Sequence, residues 1–332
     1  MTSLSVKPAE RACPGCRSDG RALSEYHFRD PDDYFKEPLR FVSCASCHLV
    51  YLAEPLKAEP LYFSDYYGTR RGLPSYVFEP FNRYWVSVKA QRFARLIDGK
   101  TVLDFGCGRG DFLGALETLG FDVWGVETQK DAVAALRAKR GSHIASRVTD
   151  LPTTPDLFDG ITLWHVLEHV DDPSTILNEL NRVSKKGGKL FVAVPNWDSW
   201  ERHFFGDRWF HLDVPRHQLQ FTQETVSALL ATCGWQIVSV SYSGWAYNLY
   251  GLFQSLLNLG PGPRNFFYRL CKRGVFMPLS NSRFWIGAAW NLVAILPAAV
   301  IAMVLIGPLT ALHKTGTIEL VAVKKSVEKT GH

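Results

Sequence analysis

Four of the seven cysteines form two C-x2-C pairs, Cys13 with Cys16 and Cys44 with Cys47. A tetrahedral zinc ion is satisfied by four thiolates, and two turn-like knuckles of this spacing can supply them. The alternatives are disulfides in an exported protein or unrelated free thiols, but the start "MTSLSVKPAERACPGC" lacks an apolar signal core. The pairs therefore predict a small ribbon over residues 1–61 that holds a structural Zn²⁺.

Alternating glycines follow a short apolar strand in "KTVLDFGCGRGDF" (100–112), which places Gly106, Gly108 and Gly110 just after Asp104. Glycines there let backbone N–H groups approach a ligand and permit dihedral angles that a Cβ would forbid. The next apolar segment, "DVWGVE", ends at Glu127, where a carboxylate can accept hydrogen bonds from ribose hydroxyls. The pattern predicts a nucleoside cofactor at the carboxyl edge of a parallel sheet.

The D-x-G-x-G-x-G form resembles motif I of the class I S-adenosylmethionine-dependent methyltransferases, whereas the third glycine of a dehydrogenase loop comes one position later. "VTDLPTTPDLFDGITLWHVLEHVDDP" (148–173) is similar to that superfamily's third and fourth strands, and "KKGGKLFVAVPN" (185–196) to its fifth. The resemblance covers about residues 98–196 and implies S-adenosyl-L-methionine as cofactor. The residues expected to contact it are Asp104, Gly106, Cys107, Gly108, Gly110, Glu127, Asp150, Leu151 and Trp164.

A base is needed when the methyl acceptor must lose a proton, and "WHVLEHVDDP" (164–173) follows the expected fourth strand. A helical turn there would bring His165, Glu168 and His169 onto one face. Alternatively, His169 only braces the loop before Asp172–Pro173, which has the pattern of a helix N-cap followed by proline. The segment offers His165 and His169 as candidate catalytic residues.

A second candidate segment is "DRWFHLDVPRHQLQFT" (207–222), where His211, Asp213, Arg216 and His217 stand among aromatic residues. It resembles the D-x-P-R-H segment of a methyltransferase subfamily that pairs an N-terminal zinc ribbon with this core. The alternative is a polar loop packed over the cofactor. His217 or His169 is the predicted base, and the acceptor atom is left open.

The back half predicts a helix and strand at 222–244 and a last core strand in "GTIELVAVKK" (316–325). Residues 245–313 would then be an insertion between two neighbouring strands. The predicted fold class is α/β, a Rossmann-like seven-stranded sheet with a small zinc ribbon and a helical insertion before the last strand. The predicted division is 1–61 ribbon, 62–97 helical connector, 98–244 cofactor-binding core, 245–313 insertion and 314–332 final strand and tail.

The insertion contains "FWIGAAWNLVAILPAAVIAMVLIGPLTAL" (284–312), which has no charged residue, and no Asp or Glu occurs from 225 to 318. Proline removes a helical hydrogen bond, so Pro297 and Pro308 predict two arms, each too short to cross a bilayer. Both ends of the insertion join one sheet, which excludes an odd number of spans. We therefore expect a proline-broken, re-entrant or in-plane hairpin on an anionic leaflet, a monotopic contact.

These features predict a methyltransferase at the cytoplasmic face of a membrane, peripheral or monotopic, acting on a small-molecule or lipid-linked acceptor. A polyprenyl-linked sugar and a prenylated quinone both fit that location. The alternatives are an RNA methyltransferase, whose basic residues would follow phosphates, and a non-catalytic membrane adaptor with a zinc ribbon. Nucleic acid is the less favoured partner, since RNA gives no reason for an uncharged stretch of this length.

Overall fold

A computed structural model describes residues 11–18, 22–30, 35–54, 56, 73–151, 155–273, 277 and 279–325. The described residues form two sheets, one of seven strands and one of four. Part of the predicted connector, residues 62–72, lies outside the described residues. The predicted domain boundaries stay a prediction.

The seven-stranded sheet is built from the apolar segments that the sequence marks as strands. Its members are β4 (Thr101–Phe105), β5 (Asp122–Val126), β6 (Ile144–Ala145), β7 (Phe158–Trp164), β8 (Ser184–Pro195), β10 (Trp235–Ser241) and β11 (Thr317–Lys324). The order across the sheet is β10-β11-β8-β7-β4-β5-β6. β11 pairs antiparallel with both β10 and β8, while β4 to β8 are parallel. The predicted Rossmann-like methyltransferase sheet is confirmed, and its last strand, β11, pairs with β10, the strand before the insertion.

Helices cover the sheet on both faces, as parallel strands with crossover connections require. They are α1 (Leu73–Ala94), α2 (Asp111–Thr118), α3 (Lys130–Arg140), α4 (Pro173–Val183) and α6 (Gln223–Thr232). α5 (Trp200–Phe205) instead packs with Phe41 and Leu52 of the four-stranded sheet. The Asp172 side chain accepts a hydrogen bond from the Thr175 backbone N–H, and Pro173 begins α4. This confirms the N-cap that the sequence indicates and fixes the chain direction just after His169.

The four-stranded sheet joins the cysteine-bearing segment to the core. β1 (Ala22–Phe28), β2 (Leu39–Cys44) and β3 (Val50–Leu52) are antiparallel neighbours, and β9 (Leu219–Gln220) adds to the edge of β3. β1 and β2 therefore occupy the stretch between the first and the second cysteine pair. The fourth strand comes from the loop that carries His217, which the sequence did not indicate.

The insertion folds into α7 (Trp245–Leu257), α8 (Phe266–Arg273) and α9 (Ser282–Ala311). The prediction of a proline-broken hairpin is wrong, because α9 runs through Pro297 and Pro308 as one 30-residue helix. Buried positions of α9, among them Ala294, Ala302 and Leu309, pack against α7 and the core. This packing holds the helix together at both prolines, whose side chains lie on the exposed side.

The buried face of α9 carries small side chains and the exposed face carries large apolar ones, which is the reverse of the usual arrangement. The buried face is rich in small residues, with Gly287, Ala294, Ala298 and Ala302 at helical spacing. The exposed face carries large apolar side chains: Trp285, Ile286, Leu292, Val293, Leu296, Val300, Ile301, Met303, Val304 and Leu312. Small residues permit close helix packing, and a contiguous exposed apolar face of this kind marks an interaction surface. α9 is also the one helix, among the described residues, that is long and apolar enough to cross a membrane.

Candidate functional site

The glycine loop after β4 adopts the backbone that its sequence requires. Gly106, Gly108 and Gly110 have φ values of 76°, 54° and 76°, all in the left-handed region. A Cβ on Gly106 would lie 2.4 Å from Cγ2 of Val166, in the segment after β7. The loop therefore sits directly against the end of β7, and a side chain at Gly106 cannot be accommodated without moving that segment.

Glu127 at the end of β5 accepts hydrogen bonds from the backbone N–H of Gly108 and of Gln129, both at 2.9 Å. Glu127 is 4% exposed, so its carboxylate is buried against the glycine loop. Asp104 is also buried and accepts a hydrogen bond from the Thr162 hydroxyl at 2.6 Å. Burial raises the pKa of Asp104 to about 6. Asp104 thus lies just before the glycine loop on β4, and Glu127 contacts the loop from the end of β5.

The remaining predicted cofactor contacts lie at the same edge of the sheet. Cys107 is buried and donates its backbone N–H to Val126 O at 3.1 Å. Asp150 ends the short 3₁₀ turn after β6 and pairs with Arg147 at 3.6 Å, while Leu151 is buried. Trp164 is the last residue of β7. Their contacts with a bound cofactor stay a prediction.

Lys89 on α1 lies beside Trp164 at the end of β7, and the sequence did not indicate it. Its Nζ lies 4.2 Å from the ring centroid of Trp164 and 4.8 Å from that of Phe112. Burial lowers the pKa of Lys89 to about 8, although the charges of Asp104 and Glu319 act to raise it. A cation in this position can attract the carboxylate of an amino-acid-like ligand. Lys89 reaches this place only because α1 docks on the sheet, so no sequence motif pointed to it.

A cavity of about 110 Å³ opens beside the end of β7. Its walls come from the segment after β7, the loop before β9, the start of α7 and one side of α8. The lining residues are His165, His169, Phe210, His211, Asp213, Arg216, His217, Tyr247, Asn265, Tyr268, Arg269 and Lys272. Both segments that the sequence singled out as sources of a base therefore meet at one cavity.

His169 and His217 are the two candidate bases that the fold brings into contact, with ring centroids 4.6 Å apart. Nδ1 of His169 lies 3.0 Å from Arg216 O, and Nδ1 of His217 lies 2.7 Å from His211 O. Because a carbonyl oxygen can only accept, each Nδ1 carries the proton and each Nε2 keeps its lone pair. Both rings are therefore oriented with a basic nitrogen available.

Glu168 lies beside these rings and is fully buried. Its Oε1 is 3.9 Å from Nε2 of His217 and 3.4 Å from Nδ1 of His165, and neither carboxylate oxygen has a hydrogen-bond partner within the described part of the chain. Ligand atoms of Glu168, His169 and His217 lie within 4.8 Å of one another, a donor set that can hold a proton or a cation.

Burial controls the protonation of this cluster. It lowers the pKa of His169 to about 4 and that of His165 to about 3, and it raises the pKa of Glu168. The pKa of His217 is also lowered, mainly by burial, against the attraction of Asp213 and Glu168. The histidines are therefore neutral near pH 7, which is the form that a general base requires.

Asp213 and Arg216 form an ion pair at the cavity wall, with Arg216 Nε 2.9 Å from Oδ2 of Asp213. Burial acts to raise the pKa of Asp213, but the charge of Arg216 and its hydrogen bonds lower it well below the usual range. The pair holds the loop in which Arg216 O accepts the Nδ1 hydrogen of His169.

His165 takes a different place from the other two histidines. Its backbone has a φ of 55°, and its ring stacks on Tyr247 at 4.0 Å, so the predicted common helical face is not formed. Residues 167–169 form a 3₁₀ turn instead. The ring of Tyr247 also stacks on His211 at 5.2 Å. Tyr247 comes from the insertion, and residue types alone gave no sign that it would complete the cavity.

Behind His211 lies Glu201, which is fully buried on α5. A Cβ on Gly316 would stand 2.7 Å from Oε1 of Glu201 and 2.9 Å from Cδ2 of His211, so the three residues are in close contact. Burial raises the pKa of Glu201 to about 8. This carboxyl is therefore mostly protonated at neutral pH, and sequence gave no signal for it.

The four paired cysteines converge in the ribbon. Sγ of Cys13 lies 3.5 Å from that of Cys47, and Sγ of Cys16 lies 3.6 Å from that of Cys44. These separations are too long for a disulfide, and all four sulfur atoms lie within 4.8 Å of one another. Four thiolates about 2.3 Å from a central ion in a tetrahedron have similar separations, so the donor set fits Zn²⁺.

Comparison with known proteins agrees with this geometry. The family model of the methyltransferase domain matches residues 78–240. The ubiquinone biosynthesis O-methyltransferase of Pseudomonas paraeruginosa is 29% identical over 130 residues, covering 37% of this chain and 54% of that protein. The enzyme of the same name from Pseudomonas syringae pv. tomato is 32% identical over 130 residues, with the same two coverages. The chain thus spans about half the length of these relatives.

Among solved structures, a SAM-dependent methyltransferase from Archaeoglobus fulgidus aligns with a TM-score of 0.46 and 19% identity, covering 76% of this chain and 100% of that one. The identification itself rests on the matched domain, the strand order and the glycine loop. Residues 78–240 match the methyltransferase-domain family model, and the strand order and glycine loop have the form of a class I S-adenosylmethionine-dependent methyltransferase.

Proposed function

We propose that the protein transfers a methyl group from S-adenosyl-L-methionine to an amphiphilic acceptor at a membrane surface. The observation that carries the proposal is the contact between two sites. Val166 abuts the glycine loop at Gly106, and its neighbour His165 lines the cavity that also contains His169 and His217. A donor in the cleft and an acceptor in the cavity would be held side by side, as group transfer requires.

The cofactor supplies an activated methyl group when it is bound. The chain's own residues bind and orient it. Glu127 is placed to meet ribose hydroxyls, the glycine loop to approach the ligand with backbone N–H groups, and Lys89 to attract a carboxylate. Lys89 lies against the rings of Trp164 and Phe112, which are 5.8 Å apart.

The cavity is placed to take a proton from the acceptor. His169 and His217 each hold a lone pair on Nε2, because their Nδ1 protons are engaged by backbone carbonyls. Glu168, buried beside them, stabilises an imidazolium once one of them has accepted a proton. Either histidine therefore serves a hydroxyl or amine acceptor, and His165 serves as a wall of the cavity through its stack on Tyr247.

The exposed apolar face of α9 supports an interfacial location. α9 is about 45 Å long at about 1.5 Å per residue. One side of it packs on protein for most of that length, while the other carries large apolar side chains such as Leu292 and Leu296. A helix with this asymmetry lies in the plane of a membrane rather than across it. A lipid-linked sugar or a prenylated quinone could then reach the cavity from the bilayer.

Zn²⁺ in the ribbon is a structural partner in this proposal. Its four ligands would all be cysteine thiolates, which leaves no open coordination position for catalysis. The ribbon shares β9 with the loop of His217, so the ion would stabilise the wall of the cavity.

The direct test incubates the full-length protein with membrane lipid extract and S-adenosylmethionine labelled in the methyl group. We expect label in the lipid fraction, and much less of it with a Gly106→Ala variant when S-adenosylmethionine is limiting. Label confined to RNA or to water-soluble products would contradict the lipid acceptor. An absence of S-adenosylmethionine binding by calorimetry would contradict the enzyme and favour a non-catalytic adaptor.

A further inference from the structure

Three amide side chains form a chain of buried hydrogen bonds between α7 and α8. Gln254 lies on α7, Asn258 caps the C-terminal end of that helix, and Asn265 immediately precedes α8. The three residues are 1%, 7% and 9% exposed. The methyl transfer proposed above uses none of these amides. Since buried amides are normally hydrogen-bonded, the direction of each bond shows which of their groups remain available.

Two backbone N–H groups determine how the first two amides are oriented. The Tyr268 N–H donates to Oε1 of Gln254 at 3.1 Å, and the Asn265 N–H donates to Oδ1 of Asn258 at 2.8 Å. Because a backbone N–H can only donate, the atom that it meets on each side chain must be the oxygen. Nε2 of Gln254 is then the donor toward Oδ1 of Asn258, at 3.1 Å.

The same reasoning orients the side chain of Asn265. Nδ2 of Asn258 donates to Arg208 O at 3.0 Å and to Oδ1 of Asn265 at 2.8 Å. Oδ1 of Asn265 is thereby engaged as an acceptor, so this amide cannot rotate to exchange its oxygen and nitrogen. Its Nδ2 group forms no hydrogen bond with the described residues and, unlike the oxygens of Glu168, is not sealed off from solvent.

Asn265 lines the cavity that also contains His169 and His217. The insertion thus supplies a hydrogen-bond donor to the wall of the candidate acceptor site. In a pocket that excludes most water, a donor without a protein partner is satisfied by an acceptor atom of the ligand.

The backbone conformation of Asn265 explains only part of this choice of residue. Its φ is 55°, and its carbonyl oxygen accepts the first hydrogen bond of α8, from the Arg269 N–H at 2.9 Å. Asparagine, aspartate and glycine all suit a positive φ. Of the three, only asparagine can both accept from Asn258 and present N–H hydrogens through its side chain.

We propose that Asn265 binds an oxygen atom of the methyl acceptor through its Nδ2 group, and so selects an acceptor that carries a hydroxyl, ether or carbonyl oxygen at this point. The proposal deepens the function proposed above and rests on it. A group that can only donate, such as an ammonium, would meet the amide hydrogens and is disfavoured there.

The test uses the full-length protein, labelled S-adenosylmethionine and the membrane lipid extract as the source of acceptor. It measures the amount of extract that gives the half-maximal rate, and the affinity for S-adenosylmethionine by calorimetry. Asn265→Asp keeps the shape of the side chain and its acceptor oxygen but removes both amide hydrogens. It should need at least tenfold more extract, with unchanged affinity for S-adenosylmethionine.

Asn265→Gly is a second variant, which removes the whole side chain and still suits the backbone. It should change the requirement for extract in the same direction. Asn281→Asp is the matched control, because Asn281 caps α9 through Oδ1, a bond that aspartate also makes, and it does not line the cavity. This variant should behave as wild type.

Half-maximal rates in both Asn265 variants at the wild-type amount of extract would overturn the proposal while leaving the methyltransferase function intact. Weakened S-adenosylmethionine binding in both variants would also overturn it, since the amide would then support the fold rather than the acceptor. A wild type that labels no lipid would contradict the function proposed above, and this proposal with it.

Discussion

Tyr51 in the cysteine-bearing sheet is paired with Leu219, two residues after His217. The ribbon also contacts the segment on the other side of the cavity, because the Arg17 guanidinium bonds to Asp172 at 2.5 Å, three residues after His169. One small module therefore holds both segments that supply the candidate bases. This gives the ribbon a role in positioning the cavity, in addition to its own folding.

Removing one cysteine ligand of the ribbon should therefore destabilise the two segments that line the cavity. We expect wild type to contain about one Zn²⁺ per chain, and Cys13→Ser to lose it together with several degrees of thermal stability. Cys233→Ser is the control, since Cys233 is buried in the core away from the ribbon's four thiolates and should keep the metal. Elemental analysis and thermal unfolding give the readouts. Two results together would contradict the zinc site: a wild type that contains no metal, and a melting temperature that chelator treatment leaves unchanged.

The glycine loop allows a paired test of steric fit. Gly106 and Gly120 have φ values of 76° and 79°, so alanine is strained at both by roughly 1–2 kcal/mol. Only at Gly106 does the Cβ collide, 2.4 Å from Val166, whereas nothing lies within 4 Å at Gly120. Gly106→Ala should lower S-adenosylmethionine affinity by at least tenfold, and Gly120→Ala should bind normally. Calorimetry measures both affinities. Equal affinities of the two variants would show that the glycine loop does not bind the cofactor.

Substitution of the candidate bases should separate chemistry from binding. His217→Gln and His169→Gln each keep a polar side chain but lose the basic nitrogen. If one is the base, its variant should lose about 10²–10⁴-fold in kcat with unchanged affinity for S-adenosylmethionine. His143→Gln is the control, because His143 stacks on Trp124 away from the cavity. Activity within twofold of wild type in both variants would show that neither histidine is the base.

The exposed face of α9 can be tested without harming the fold. Val293 and Leu296 are 72% and 75% exposed, so Val293→Glu with Leu296→Glu should leave the melting temperature nearly unchanged. The same change should abolish flotation with liposomes, because two carboxylates oppose burial in an apolar layer. Leu23→Glu, at an exposed apolar position in the ribbon, should float as wild type does. If the double variant floats as well as wild type, α9 is not the surface that contacts the membrane.

Glu201 predicts a pH dependence of stability. Its folded-state pKa of about 8 lies above the usual 4.5, so the folded protein holds this proton more tightly than the unfolded chain. The resulting stability is complete below pH 4.5 and is lost as pH rises through 8, by up to about 1.4 kcal/mol per pH unit.

Glu201→Gln should therefore show a flatter decline of unfolding free energy than wild type between pH 5 and 8, measured by urea unfolding. Glu224→Gln, at an exposed position on α6, should follow the wild-type curve. Parallel curves for wild type and Glu201→Gln would show that Glu201 titrates normally in the folded protein.

The core of the fold and its cofactor edge were predictable from the sequence, because they depend on local patterns. Apolar runs give the strands, the φ > 0 positions of the glycine loop demand glycine, and the doubled C-x2-C spacing indicates one four-thiol cluster. The ordered motifs also placed Asp104 and Glu127 beside the loop, where the structure has them buried.

Other features depended on packing between distant segments. Prolines at 297 and 308 predicted a broken hairpin, but contacts with α7 and the core support one continuous helix and reverse that local preference. Tyr247, Lys89 and the α8 cations reach the site only because whole helices dock there. The local sequence pattern determined which residues are chemically able to react and which segments form the strands of the sheet. Tertiary packing decided which of them meet, because the free energy of burying α7, α8 and α9 against the core outweighs the conformational preferences of single residues.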